Sequence, residues 1–99
     1  MKQFKLKRQL MYGNSGEDVR LMQKLLNFVN SVNLFYDGKI PENGMFDMFR
    51  TRVCLSKFQI WCEIENNYCY DRDTHGMLIT AVNTILESRN APSYQMYSV

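Results

Sequence analysis

Ninety-nine residues and 11.8 kDa make one domain, since a chain of this length closes a single core. With 45% hydrophobic and 22% charged residues the composition is that of an ordinary globule, which excludes wholesale disorder and low-complexity architectures. The formal charge of +2 is too small to mark a nucleic-acid binder or a polybasic membrane partner.

The chain opens with Met1-Lys2-Gln3-Phe4-Lys5-Leu6-Lys7-Arg8. This has the positive start of a signal peptide but neither its apolar stretch nor a small-residue cleavage site. Residues 1–8 are expected to form a basic arm whose Phe4 and Leu6 dock on the domain. The protein is expected to be made in the cytoplasm and, if it acts at a cell wall, to be carried there within a particle or machine. No apolar run approaches the 18 to 20 or so residues that span a bilayer, so no membrane span is predicted.

Ser15-Gly16-Glu17-Asp18 has the form of a helix-capping box, with Ser15 as the cap. Val19, Met22, Leu25, Leu26, Phe28, Val29 and Val32 follow at three- and four-residue steps, with Arg20, Lys24 and Asn27 off the stripe. The spacing predicts an amphipathic helix over 16–33. Asp37-Gly38, Pro41 and Asn43-Gly44 are turn chemistry and predict a folded loop, in which a short hairpin pairing is an alternative.

From about Asp47 to Glu63, Phe49, Val53, Cys54, Phe58, Trp61 and Cys62 recur on a helical stripe, with Arg50, Arg52, Lys57 and Glu63 facing away. Trp61 is read as core. Asn66-Asn67-Tyr68-Cys69-Tyr70 interrupts the period, and Asp71, Asp73 and Thr74 are candidate caps. A third helix is expected over 74–87, burying Met77, Leu78, Ala81, Val82, Ile85 and Leu86, and ending at Asn90 and Pro92. Residues 91–99 read as a flexible tail. The expected fold is all-α, a compact three-helix bundle over residues 9–90 with turn-rich loops.

Cys54, Cys62 and Cys69 are an odd set without the short paired spacings of a zinc ribbon. On one helix, Cys54 and Cys62 would stand about 12 Å apart, beyond disulfide reach. Free thiols are expected, and neither metal nor cofactor. The close acid pairs Asp71/Asp73 and Glu63/Glu65 read as capping or solvated groups, not as the partly protonated pair that glycoside cleavage needs. With one His and no phosphate-cradling Gly loop, the chain does not read as an enzyme.

The run from Leu10 to Leu26 resembles the opening of the peptidoglycan-binding domain family, L-x-x-G-x-x-G-x-D-V-x-x-L-Q-x-x-L, through Gly13, Gly16, Asp18, Val19, Gln23 and Leu26. Asp37-Gly38, Gly44-Met45-Phe46, Thr51 and Phe58-Gln59 resemble its middle, and Asp71-Arg72-Asp73-Thr74 with Leu78 its close. The likeness spans roughly residues 8 to 82. It departs in the loops, where Asp47 replaces a Gly, one residue is added before Thr51, and a Gly is missing around Asn67 to Cys69. The resemblance implies a three-helix domain of the kind that holds cell-wall hydrolases on peptidoglycan. A copy without a hydrolase implies a subunit of a phage tail, lysis or secretion apparatus, or the same fold reused for protein contact as a virion or baseplate component or small inhibitor.

Loops carry specificity more often than helices do. The expected ligand surface is therefore Tyr36, Asp37, Asn43, Tyr68, Tyr70 and Asp71, in which rings stack on a sugar or stem peptide and Asp, Asn and Tyr meet its polar groups. Gln23 and Gln59 are read instead as satisfying the backbone of neighbouring turns.

Overall fold

The computed structural model describes residues 3–94. Residues 1 and 2 of the expected arm and 95–99 of the expected tail lie outside them. Three helices, α1 (Glu17–Val32), α2 (Thr51–Trp61) and α3 (Arg72–Ser88), follow in order, and α1 packs against both of the others. The fold is thus the expected all-α three-helix arrangement. Two isolated β-bridges, Leu10 with Tyr70 and Ser15 with Met45, join its loops.

The first helix runs as its periodicity predicts, with Val19, Met22, Leu25, Leu26 and Val29 buried. Its start and end differ from expectation. Gly16 is the cap residue and no side chain caps the helix. The Ser15 carbonyl instead accepts a 2.7 Å bond from Arg8, whose guanidinium also pairs with Asp18. Val32 is 46% exposed, at the point where the chain leaves the helix.

The second helix is shorter than its stripe. Residues 47–50 form a capping turn: Asp47 Oδ2 accepts from Arg50 N–H, and Oδ1 accepts from both Thr51 N–H and Thr51 O–H. Phe49 consequently sits outside the helix and is 82% exposed, not core as its spacing suggested. Trp61 is also half in solvent at 44%, lying against Phe35 and Phe58 at ring separations of 5.7 and 6.0 Å. It closes the bundle's end instead of filling its centre. Glu63, with φ of 58°, then turns the chain out of the helix.

The third helix begins two residues earlier than expected. Asp71, one of three candidate caps, accepts from Thr74 N–H and Thr74 O–H. At the far end Asn90 takes a left-handed φ of 53°, and Ala91 N–H reaches back to the Leu86 carbonyl at 2.9 Å. This closes the helix with the six-to-one bond characteristic of such caps.

The loops are held by side-chain amides. Along α1, Gln23, Asn27 and Asn30 are buried at helical spacing, and residues 35–45 run back alongside them. Asn30 Oδ1 accepts from the Phe35 and Tyr36 amides, and its Nδ2 donates to the Tyr36 and Gly38 carbonyls. Asn27 binds both backbone groups of Ile40. The ladder secures a loop with no strand partner, and no buried side-chain N or O atom among the described residues lacks a bond.

The basic arm is part of the core. Phe4 is buried, stacked on Tyr70 and edge-on to His75 at 4.8 Å. Of the thiols, Cys54 is buried and Cys62 and Cys69 half-buried, all free. Burial pushes Cys54 up to about 12 and Cys62 up to about 11, so neither is a ready thiolate at neutral pH.

Candidate ligand-binding surface

Two loops, each preceding a helix, are built to one plan that the sequence reading did not isolate. Asn43-Gly44-Met45-Phe46-Asp47 leads into Thr51, and Asn67-Tyr68-Cys69-Tyr70-Asp71 leads into Thr74. In the first, the Gln23 amide donates to the Met45 carbonyl and Thr51 Oγ1, both at 2.9 Å, and accepts from Gly44 N–H. In the second, Gln59 donates to the Cys69 carbonyl and Thr74 Oγ1 and accepts from Tyr68 N–H at 3.2 Å. Asn43 and Asn67 each accept from the amide two residues on. Each loop buries its aromatic, Phe46 or Tyr70, and ends on the Asp that caps the next helix. The readable signal was the recurrence of Asn, two intervening residues, an aromatic and Asp, followed by Thr.

A single segment stitches the loops side by side. Leu10 exchanges two backbone bonds with Tyr70, while Gly13 and Asn14 bond to Phe46 and Gly16 N–H to the Gly44 carbonyl. A turn in this strap, in which the Asn14 amide donates to the Met11 carbonyl at 3.0 Å, separates the two sets of bonds. Met11 and Tyr12 between them are 43% and 54% exposed.

The expected site residues divide by what they do. Asn43 is exposed, but its Oδ1 is occupied by the Met45 amide. Asp71 is occupied by Thr74 and by Asn67 Nδ2 at 2.8 Å. Burial is the largest influence on the Asp71 carboxyl and pushes its pKa up, but the bonds from Thr74 and Asn67 outweigh it, leaving it below the ordinary value. Asp47 shows the same balance, burial outweighed by its bonds to Thr51 and Arg50. Tyr70 is wholly buried, its hydroxyl 2.7 Å from His75 Nδ1. It faces the core because its backbone pairs with Leu10, so it presents no surface to a ligand. Burial raises its pKa well above the ordinary value.

Tyr36 is half-buried, and burial is the largest cause that raises its hydroxyl pKa. Asp37 is exposed. Beside them a shallow depression of about 390 Å³ lies between α1 and the loop, lined by Lys24, Asn27, Phe28, Asn30, Ser31, Gly38, Lys39 and Glu42. The amides on its floor are already committed to loop backbone, which leaves Lys24, Lys39 and the Phe28 ring to meet a guest.

Tyr68 is the expected residue that stands free. It is 39% exposed, has a left-handed φ of 61°, and carries the Arg52 guanidinium 4.2 Å from its ring centroid. Arg52 had been read only as a solvent-facing residue.

Among the described residues no group of three His, Cys, Asp or Glu is placed to hold a metal, and no helix is long and apolar enough to cross a membrane. No protein-family model matches the chain, and no curated protein matches it. Among solved structures it is similar to the crystal structure of the SleB N-terminal domain, with 28% identity and a TM-score of 0.63, over 79% of this chain and 97% of that one.

Proposed function

We propose that this chain is a non-catalytic peptidoglycan-binding module, in which the paired loops meet glycan or stem peptide and the helices serve as scaffold. The carrying observation is that the residues of the family-like pattern, Gln23, Gly44, Thr51, Gln59, Asp71 and Thr74, are those that hold the two loops. The likeness to the SleB N-terminal domain over nearly all of that domain supports the same reading. Tyr68, Tyr36 and Asp37 are the members of the expected site that offer surface. Catalysis is disfavoured because the loop carboxylates are spent as caps with lowered pKa values, whereas a glycosidase acid must hold its proton.

An open surface of this size binds modestly, so several copies in a particle would gain by avidity. The test is co-sedimentation of the purified, reduced protein with insoluble peptidoglycan sacculi across a salt series. Saturable, salt-tolerant pelleting is expected. Pelleting no greater than that of an unrelated small helical protein would overturn the reading. A second reading, a protein-contact module within a larger assembly, is favoured by the exposure of Phe49 (82%), Leu34 (76%) and Met45 (61%), since large exposed apolar groups mark interfaces. Under that reading Phe49→Ser dissolves the assembly while any sacculus binding is unchanged.

A further inference from the structure

Two neighbouring features break local rules, and they break them together. A non-glycine residue with positive φ is disfavoured by its own Cβ, yet Tyr68 holds φ of 61° at the position where the sister loop has Gly44 at 76°. Cations are disfavoured at a helix N-terminus, where the dipole is positive. Yet Arg50 and Arg52 open α2, whose first turn carries no acid, and the carboxylate of Asp47 in the preceding turn is taken up by the Arg50 and Thr51 amides and the Thr51 hydroxyl. Where local preferences fail in a well-packed fold, function is the usual compensation.

The electrostatics around Arg52 sharpen the point. Arg52 is half-buried, its guanidinium lies over the Tyr68 ring, and no carboxylate among the described residues lies within ion-pair distance of it. The loop acids nearby, Asp47 and Asp71, have their oxygens directed to cap bonds. The ring contact holds the planar fork without using its N–H donors, so they stay available to a two-oxygen acceptor.

We propose that Arg52 and Tyr68 form an oxyanion-recognition pair, in which the guanidinium takes a carboxylate of a wall glycopeptide and the tyrosine ring takes the adjoining apolar face. The ligand class rests on the wall-binding reading above. The chemistry of the pair does not, since any oxyanion beside an apolar carbon face satisfies it, and a phosphate-bearing wall polymer is the other source.

The test is an NMR titration of the full chain, following the Tyr68 amide and the Arg52 Nε–H. The probes are N-acetylmuramyl-L-alanyl-D-isoglutamine, the same glycopeptide with its carboxyl amidated, and inorganic phosphate. Saturable shifts with the free carboxyl, at least tenfold weaker after amidation and lost in Arg52→Ala, are the expected result. Arg52→Lys should bind between the two, because an ammonium keeps the charge and loses the fork. Tyr68→Gly controls for folding: its thermal midpoint should hold or rise, glycine being at ease at this φ, while binding falls. Response to phosphate but not to the glycopeptide would keep the pair and move the source to a phosphate polymer. No response to either probe, or Arg52→Ala binding like wild type, overturns the pair even if sacculi still pellet. Specific shifts from a protein that fails to pellet would overturn wall binding and leave the pair standing.

Discussion

The loops at 43–47 and 67–71 share a glutamine, an asparagine, a buried ring and a capping aspartate, and differ at one decisive position. In the first, Gly44 is buried, and a Cβ there would lie 2.8 Å from the Gly16 carbonyl oxygen. In the second, Tyr68 adopts nearly the same backbone and turns its ring outward beneath Arg52. The first loop spends its strained position on close approach to the strap; the second spends it on display. The shared frame therefore belongs to stability, and under the proposal above the difference between the loops belongs to recognition.

The shared glutamines offer the largest effect. Gln23→Leu and Gln59→Leu each strand a backbone amide and a carbonyl, and remove a donor from a threonine hydroxyl that keeps its bond to aspartate. Each should cost about 3–4 kcal/mol in denaturant unfolding. A cost at one site below half that at the other would break the equivalence of the loops.

Exchanging the differing residue comes next. Gly44→Tyr should destabilise by about 2–3 kcal/mol, from the carbonyl clash and the positive φ together. Tyr68→Gly should change stability by less than about 1 kcal/mol, toward greater stability. The asymmetry is the quantity to measure.

Asp47→Ala and Asp71→Ala should each cost about 1–2 kcal/mol at pH 7, as for other helix caps. Both carboxyls are lowered from an ordinary value of 3.8. Their stabilisation is therefore complete above that pH and is lost as pH falls through the lowered folded values. The variants and the wild type should converge in thermal midpoint toward pH 2.

The smallest effect falls beside the second loop alone. Burial lowers the His75 pKa from an ordinary 6.5, against a hydrogen bond to the Phe4 backbone that raises it. The unfolded chain then binds the proton more readily, so stability is full above about pH 6.5 and declines below it toward the lowered folded value. Thermal melts between pH 7 and 5 should show this slope, and His75→Gln should flatten it at some cost in overall stability.

Much of the scaffold was legible because α1 and α3 carry apolar residues at helical steps and end on recognisable breakers. The errors arise where one residue type serves two settings. Phe49 extends the stripe of α2 on paper, but the turn that Asp47 caps delays the helix until Thr51, and a capping turn has no helical face. Ser15 matches a cap pattern that Gly16 fulfils with backbone alone. Asn27 was placed off the buried stripe because nothing in an amide says whether it meets water or a neighbouring loop. At the candidate site, Tyr68 was found as a loop aromatic, and Tyr70 was misplaced by the same argument. Strap pairing turns the one outward and the other inward, and that pairing is a long-range event no local pattern announces. Arg52 was missed for the same reason, its partner lying in a different loop.

The strap also bears on how the chain reaches this fold. Leu10 joins Tyr70 across sixty residues, and Phe4 completes the packing around Tyr70 and His75. Three-helix proteins rich in local contacts fold in microseconds to milliseconds. Here each helix can form early, but both loops remain unfastened until the N-terminal segment returns, and closing so long a loop costs entropy before any contact compensates it. Refolding should accordingly be slower than helix content suggests, with the loops at 43–47 and 67–71 among the last parts of the molecule to acquire their shape.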